Sequence, residues 1–362
     1  MAEPFKNLFN KELIEEFANN IHKYDNSFKK DEYKSFVLST LEDLELKDRM
    51  RLISASIHPF LDLDYKQTVK ILKKVKKHFS TEVSMGLKSM VLPDYVEVYG
   101  LDDLETSLNA LEYFTVDSSS EFAIRHFIIK YKKETMQEFI KWAKSSNEHV
   151  RRLASEGCRP RLPWGIALAS FKKNPDLVFE VLELLKNDES MYVRKSVANN
   201  LNDISKDNPE KVIKFVEENL GYSKNLDWIC KHASRTLLKA GNKKILELFG
   251  YKKDSALIVE NFVVDKLVIL EEKLNFSFDL KTTNNKIGNV RIEYAIDFQK
   301  ANGTLSRKIF MLSQNKINQK NKSFKKYQSF RTVTTRKYYK GLHKIAIIIN
   351  GEEKIIKGFK LK

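Results

Sequence analysis

The segment NEHVRRLASEGCRPRLPW (residues 147–164) is followed by two segments that share its pattern, ESMYVRKSVANNLNDIS (189–205) and LDWICKHASRTLLKAGN (226–242). In each, an aliphatic residue stands before one or two basic residues and a run of small residues at helical spacing. The aliphatic residues follow one another at steps of 43 and 36 residues; they are Val150, Val193 and Ile229. Both steps lie near the period of two-helix solenoid units, so we predict an α-solenoid of HEAT-like repeats.

Helical spacing of apolar residues extends from Lys11 to about Lys253. Two stretches between the repeated segments, 175–186 and 209–220, each begin with proline. Because proline is favoured in the first turn of a helix, we predict that these stretches are the outer helices of the repeats. Loops are predicted at Asp62–Asp64, Pro93-Asp94 and Gly100.

After about Asp254 the apolar period changes to two, which is typical of β-strands. Five runs show it: LVILEEKLNFSFDLKTT, VRIEYAIDF, SRKIFML, SFRTVTTR and HKIAIIING. Asn302-Gly303 and Asn350-Gly351 have the composition of hairpin turns. We therefore predict a mainly α protein, with a helical-repeat domain at 1–254 and a small all-β immunoglobulin-like sandwich of about seven strands at 255–362.

Positive charge is concentrated in the predicted sandwich. Residues 255–362 contain 22 Lys and Arg against nine Asp and Glu, which is most of the net charge of +16. Between Phe298 and Gly351 there are 13 basic residues and no acidic one, with aromatic residues interleaved. A surface that follows a phosphate backbone accounts for this pattern, and the predicted DNA contacts there are Lys325, Lys326 and Arg331. The alternative is a solvated β surface whose lysines protect sheet edges from aggregation.

Several classes of protein are disfavoured. The sequence contains no run of about 18 uncharged apolar residues, so no membrane span is predicted. The N-terminus lacks the apolar core of a signal peptide. The two cysteines, Cys158 and Cys230, fit no metal-ligand spacing and favour a reducing, bacterial-type cytosol. No HExxH pair, dinucleotide fingerprint or P-loop occurs. We expect a cytoplasmic, nucleoid-associated monomer that binds no membrane, no metal and no cofactor.

Each of the three repeated helices has a polar stripe opposite its apolar face. In the first helix, Arg152, Glu156 and Arg159 lie at i, i+4 and i+7. The second and third helices contribute Ser196, Asn199, Asn200, Asp203, Lys231, His232 and Arg235. Stacked repeats align such stripes into one concave wall. We predict that this wall contacts DNA through Arg161, Asn199, Asn200, Lys231 and Arg235.

The wall is basic, yet it also contains Glu156 and Asp203. Carboxylates beside phosphates weaken DNA binding, so their presence indicates a positive charge at the centre of the site. An N-alkylated base is a cation, and cleavage of its glycosidic bond generates further positive charge on the sugar, as in glycoside hydrolysis. A fixed carboxylate shielded from bulk water stabilises that charge.

The segments SSSEFAIRHFI (118–128), NEHVRRLASEGCRPRLPW, YVRKSVANNLNDISKDNPE (192–210) and WICKHASRTLLKAG (228–241) resemble the AlkC group of DNA alkylation-repair glycosylases. The resemblance covers roughly residues 1–250, and some members carry a C-terminal immunoglobulin-like domain. It implies release of 3-methyladenine and 3-methylcytosine from double-stranded DNA, without a metal and without a deep base pocket. By the same resemblance, Glu121 and Glu156 match the catalytic carboxylates, and the residues lining the active site match Arg152, Arg159, Trp164 and Asp203.

Each of these residues also has a purely structural interpretation. Ser118 and Glu121 together form the pattern of a capping box, and Glu156 is spaced to pair with an arginine on a solvated helix face. Trp164 either packs its proline-rich loop or stacks on a base or sugar. Asp203 either braces the turn after its helix or takes part in the chemistry.

The expected function is that of a monofunctional DNA glycosylase in base excision repair. The carboxylates stabilise an oxocarbenium-like sugar, the cationic base leaves without a strong general acid, and no lysine is obviously placed for Schiff-base chemistry. The main alternative is a non-enzymatic HEAT-repeat adaptor that binds nucleic acid. A third is a protein–protein scaffold with a basic sandwich, which salt dependence of binding separates from the first two.

Overall fold

A computed structural model describes residues 4–79, 83–333 and 336–362. The chain forms two compact units, one extending to Ala233 and the other from Ser234 to Lys362. The first unit is helical and the second contains all the strands found in the described ranges. The architecture is therefore that of a mainly α protein with a C-terminal β-sandwich.

The described part of the first unit contains fifteen α-helices. They are α1 (Lys11–Tyr24), α2 (Lys30–Leu38), α3 (Leu46–Ala55), α4 (Tyr65–Lys76), α5 (Val83–Lys88), α6 (Val91–Tyr99), α7 (Leu104–Thr115), α8 (Ile124–Lys130), α9 (Lys132–Trp142), α10 (Glu148–Gly157), α11 (Ala169–Lys173), α12 (Asp176–Leu185), α13 (Met191–Ile204), α14 (Pro209–Asn219) and α15 (Lys224–Ala233).

The predicted repeat is confirmed by the packing of α10, α13 and α15, which lie side by side in that order. The three aliphatic residues that define the repeat, Val150, Val193 and Ile229, are all buried. The helices α12 and α14 connect these inner helices and pack against them through their apolar faces. Asn147 caps α10 and Ser190 caps α13, each accepting a hydrogen bond from a first-turn amide.

Two local predictions in the helical part are wrong. Pro93 and Asp94, expected in a loop, lie within the first turn of α6, where a proline removes no intrahelical hydrogen bond. Asp94 is buried there and accepts hydrogen bonds from Arg51. The third repeated helix was expected to include Arg235 and Leu237 but ends at Ala233, and Arg235 begins a separate short helix.

The second unit contains two short helices, α16 (Arg235–Lys239) and α17 (Lys243–Leu248), and eight strands. The strands are β1 (Leu257–Val264), β2 (Leu267–Val268), β3 (Lys273–Thr282), β4 (Gly288–Gln299), β5 (Leu305–Ile317), β6 (Asn321–Ser329), β7 (Gly341–Ile349) and β8 (Glu352–Leu361). One sheet has the order β1-β3-β6 and the other β2-β8-β7-β4-β5, and a single apolar core lies between them.

Both predicted hairpin turns are confirmed. Asn302-Gly303 joins β4 to β5, and Asn350-Gly351 joins β7 to β8. Asn350 and Gly351 have φ values of +50° and +77°, as a two-residue turn with left-handed central residues requires. Leu246 of α17 packs so closely on this turn that a Cβ at Gly351 would lie 2.5 Å from Leu246 Cδ1.

The strand expected over SFRTVTTR is wrong in position. The observed strand, β6, lies just before it and ends at Ser329. Phe330 then turns into the core of the sandwich, and in the described residues between it and β7 an isolated bridge joins Val333 to Arg336. Thr334 and Thr335 lie outside the described residues.

Two structural observations bear on the class of protein. None of the helices in the described ranges is both long and apolar enough to cross a membrane. Cys158 and Cys230 form no disulfide within the described residues, and burial raises the pKa of each thiol to about 12. Both thiols are therefore protonated and buried in the helical core.

Candidate active site

Glu156 lies in the last turn of α10, and only 8 % of its side chain is exposed. Its Oε1 accepts a hydrogen bond from Arg159 Nη1 at 2.7 Å, and its Oε2 accepts one from the Ser196 hydroxyl of α13 at 2.6 Å. Arg152 Nη2 approaches Oε1 to 3.5 Å. The carboxylate is therefore fixed by the neighbouring inner helix as well as by its own.

Glu121 lies in the turn just before α8, which begins at Ile124. Its Oε2 accepts hydrogen bonds from Arg152 Nη2 at 2.6 Å and from the Ser119 hydroxyl at 2.9 Å. The capping-box interpretation is wrong, because the Ser118 hydroxyl donates instead to the carbonyl of Gly86. Glu121 Oε1 has no hydrogen-bonding partner in the described part of the chain.

Arg152 is the group that joins the two glutamates. Its guanidinium binds Glu121, contacts Glu156 and donates from Nη1 to the Ser119 hydroxyl at 2.9 Å. Burial lowers the pKa of Arg152, but the charges of Glu121 and Glu156 reverse that effect and hold it above its ordinary value. Both carboxylates are therefore held at one permanent cation.

Arg159 extends the same network to Asp203 on α13. Its Nε and Nη2 donate to Asp203 Oδ2 at 2.9 and 2.8 Å, and Lys206 Nζ lies 3.1 Å from Oδ1. The connected network in the described residues thus contains three acidic and three basic side chains: Glu121, Glu156, Asp203, Arg152, Arg159 and Lys206. Its formal charges cancel.

Trp164 lies at the end of the proline-rich loop after α10 and is 66 % exposed. Its φ of +63° is in the left-handed region, which a bulky residue adopts only when its surroundings enforce it. Lys47 Nζ donates to the Trp164 carbonyl at 2.9 Å and lies 5.0 Å from the ring centre of Phe122. Lys47 thus links the backbone of Trp164 to Phe122, the residue that follows Glu121, and the indole is exposed.

Buried Arg125 holds this loop in place. Its Nη1 donates to the Gly157 carbonyl at 2.9 Å and its Nε donates to the Ile166 carbonyl at 2.7 Å, on either side of Trp164. Burial lowers the pKa of Arg125 to about 10. The loop conformation therefore depends on an arginine that no sequence pattern had singled out.

Comparison with known proteins places the chain in a family. Residues 101–245 match the model of the DNA alkylation repair enzyme family, and residues 258–362 match that of the C-terminal Ig-like domain of the uncharacterised protein YhaZ. YhaZ of Bacillus subtilis strain 168 is 42 % identical over 352 residues, which are 96 % of this chain and 97 % of YhaZ. A solved structure of the Pseudomonas fluorescens alkylpurine DNA glycosylase AlkC, bound to DNA containing an abasic site analog, is 37 % identical. It matches with a TM-score of 0.94 over 99 % of this chain and 100 % of AlkC.

The chain belongs to the AlkC-type family of DNA alkylation repair enzymes. These matches confirm the family resemblance, the helical-repeat fold and the Ig-like C-terminal domain that we expected from the sequence. The roles assigned to individual residues stay predictions.

Four of the five predicted contacts on the helical wall are at the surface of this AlkC-type chain. Arg161 forms a two-pronged ion pair with Asp207 at 2.9 and 2.6 Å, and Asn199 bonds to His232. Lys231 and Arg235 are exposed, but Arg235 belongs to the second unit. On the sandwich, Lys325, Lys326 and Arg331 are exposed on β6 and just after it.

Asn200 is the exception and requires a correction. Its side chain is fully buried between α13 and α10, where Nδ2 donates to the Ser155 carbonyl at 2.8 Å and to Cys158 Sγ at 3.3 Å. The helical-wheel assignment placed it on the polar stripe because asparagine is usually exposed. It joins two repeats and does not face the wall.

Two residues that contact the network, Ser119 and Tyr192, were missed by the sequence analysis, and Ser196 was placed on the polar stripe without a role. The two serines hydrogen-bond to the glutamates, and the Tyr192 ring lies over Arg152. Serine and tyrosine are common in every structural class, so their identity alone signals nothing. One sequence feature could have pointed to Tyr192. It directly precedes Val193, as His149 directly precedes Val150 in the repeat before it. In the described ranges no group of three or more His, Cys, Asp and Glu is arranged to hold a metal.

Proposed function

We propose that this protein is a monofunctional DNA glycosylase that releases N3-alkylated bases, such as 3-methyladenine and 3-methylcytosine, in base excision repair. The observation that carries the proposal is the pair of shielded carboxylates, Glu121 and Glu156, held on one arginine of the inner helices. Family membership and the likeness to AlkC support it. The network as a whole is neutral, but Oε1 of Glu121, unbonded in the described residues, carries local negative charge, which suits a cationic nucleotide better than a phosphate.

Glu121 is the group that we assign to the reacting sugar. One of its oxygens is occupied by Arg152 and Ser119, which leaves Oε1 to face the substrate and to orient the attacking water. Glu156 has both oxygens occupied, so it contributes through its charge and through its hold on Arg152. Together they stabilise the oxocarbenium-like sugar as the bond to the base breaks.

The reaction needs no strong general acid, because an N3-alkylated base already carries positive charge and leaves as a neutral molecule. Trp164 is exposed beside the site and supplies a flat apolar surface for a sugar or base. Two lysines near the site are engaged elsewhere: Lys47 with the Trp164 carbonyl and Lys206 with Asp203. Neither is placed as a nucleophile, which is why we assign hydrolysis without strand cleavage.

Double-stranded DNA is the proposed partner. The surface residues of the helical wall and the basic face of the sandwich each supply cations for the phosphate backbone. Those on the sandwich include Lys325, Lys326 and Arg331, with no acidic residue between Phe298 and Gly351 in the sequence. These contacts supply affinity without sequence preference, as an enzyme that searches for damage at any position requires.

The first prediction is that Glu121→Gln lowers the rate of base release by about 100-fold or more, since one electrostatic group in a shielded site has an effect of that order. Release is measured on duplex DNA carrying labelled methyl groups, under single-turnover conditions. Affinity is measured on a duplex with an abasic-site analogue and changes by no more than about threefold, because Glu121 touches no phosphate in this scheme.

The matched control is Glu180→Gln on the exposed side of α12, which keeps the wild-type rate. Glu156→Gln loses activity as well, with a larger loss of stability, because an amide cannot satisfy both Arg159 and Ser196 in the same way. Undiminished release by Glu121→Gln would remove Glu121 from the mechanism.

The complete pairing of Glu156 favours a second candidate function, a DNA-binding adaptor in which the glutamates only join the repeats. Such an adaptor binds methylated and unmethylated duplexes equally and releases no base from either. Incubation of the wild-type protein with methylated DNA, followed by separation of free bases, distinguishes the two functions directly.

A further inference from the structure

Tyr192 is the second residue of α13, and the Arg152 guanidinium lies over its ring. The Cζ atom of Arg152 is 5.0 Å from the centre of the Tyr192 ring, within the range of a cation–π interaction. The side chain is partly exposed and lies at the edge of the charged network. Tyr192 therefore contacts the one cation that touches both glutamates.

The other contacts of Arg152 are made by its N–H groups, which donate in the plane of the guanidinium. They hold Glu121, Ser119 and Glu156. Such bonds hold the group from its N–H edges. An aromatic ring in contact with the guanidinium excludes water from that side and restricts movement of the group.

The Tyr192 ring also packs against the ring of His149. The His149 ring of α10 meets it edge-on, with ring centres 5.6 Å apart and an angle of 67°. His149 Nε2 lies 3.6 Å from Asp117 Oδ1. His149 and Tyr192 occupy equivalent positions in two successive repeats, each directly before the aliphatic residue that defines the repeat.

The phenol oxygen of Tyr192 has no hydrogen-bonding partner within residues 4–79, 83–333 and 336–362. Burial raises the pKa of Tyr192, so the phenol is neutral at physiological pH. These observations assign the effect of Tyr192 to its ring and not to its hydroxyl group.

We propose that Tyr192 is a positioning residue of the glycosylase, which fixes the Arg152 guanidinium between Glu121 and Glu156 through the cation–π contact of its ring. This inference rests on the proposed function, since it concerns the rate of the same reaction. It assigns no contact between Tyr192 and DNA, so binding and catalysis respond differently to its removal.

The test compares Tyr192→Phe, which keeps the ring, with Tyr192→Leu, which keeps apolar volume but removes it. Tyr222→Leu is the control, because Tyr222 is an exposed tyrosine of the same unit outside the network. Single-turnover base release is measured on methylated duplex DNA, and affinity on a duplex with an abasic-site analogue. Tyr192→Leu lowers the rate by about tenfold, the order expected for loss of one desolvated cation–π contact, while its affinity and that of the other variants stay at the wild-type value.

The rate of the Tyr192→Phe variant distinguishes a positioning role of the ring from a purely structural role of the residue. Tyr192→Phe retains the wild-type rate, and in an Arg152→Ala background the change Tyr192→Leu has no further effect on rate. Equal rates for Tyr192→Leu and wild type overturn the inference, and so does a Tyr192→Phe variant that is as slow as Tyr192→Leu. A loss of DNA affinity that matches the loss of rate overturns it as well. Absence of release by the wild-type enzyme instead overturns the proposed function, before any variant is compared.

Discussion

At the scale of single residues, the chemistry of the site follows from which oxygens are already bound. Glu156 has partners on both oxygens, whereas Glu121 uses only Oε2. The sequence could indicate that both glutamates belong to one site, through the stripe on α10 and the family resemblance. It could not indicate their difference, because that depends on Ser119 and Ser196, which reach the glutamates from a turn and from another helix.

Asn200 provides a prediction at this scale. Asn200→Ala removes a buried donor to the Ser155 carbonyl, so the free energy of unfolding falls by about 1–3 kcal/mol because that carbonyl keeps only the weak donor Cys158 Sγ. Affinity for duplex DNA does not change, because the side chain is fully buried. Urea unfolding and DNA titration measure the two effects. Weaker binding with unchanged stability would restore Asn200 to the DNA-contacting wall.

At the scale of elements, the helices and strands with a clear apolar period were predictable and the exceptions have physical causes. The strand β6 was missed because it is an edge strand with solvent-exposed lysines on much of its length, so it has no period of two in hydrophobicity. The end of α15 at Ala233 was missed because no Gly or Pro follows it. Pro93 was misplaced because a proline in a first helical turn looks like a loop in the sequence.

Gly157 provides the prediction for the elements. It ends α10 where that helix packs on α8 and α9, and a Cβ there would lie 2.8 Å from Ile124 Cγ2 and 3.1 Å from Phe139 Cζ. Gly157→Ala therefore lowers the free energy of unfolding by about 1–3 kcal/mol through overpacking. Ser170→Ala, at an exposed position of α11, is the control with an unchanged midpoint in urea. Equal midpoints for the two variants would mean that the helices can separate without cost.

At the scale of the whole molecule, the sequence predicted two domains with different periods and different charge. The boundary was proposed at residue 254, where the helical period ends, whereas the compact units divide between Ala233 and Ser234. The difference arises because α16 and α17 are helical in sequence but pack with the sandwich, as the contact of Leu246 with the Gly351 turn illustrates. Periodicity identifies the type of an element and does not identify the core that it joins.

Salt dependence provides the prediction for the whole molecule. If the sandwich follows the phosphate backbone, Lys325→Gln/Lys326→Gln lowers the slope of log affinity against log salt by about 1 to 2, close to one counterion for each lost contact. Fluorescence anisotropy on an undamaged duplex at several salt concentrations measures it. Lys211→Gln/Lys214→Gln on α14, which removes the same charge from the helical unit away from the candidate site, keeps the wild-type slope. Identical slopes for both double variants would favour lysines that only protect the sheet edge.

The cancelled charges around Arg152 also bear on how damage is found. Three acids and three bases neutralise one another before any DNA arrives. If the protein acts as proposed, an ordinary uncharged base meets a site that neither holds it nor repels it, and the enzyme can slide along intact DNA without pausing at each nucleotide. On the same proposal a methylated base brings an uncompensated positive charge to that place, so dwell time on the duplex distinguishes damaged from normal sequence.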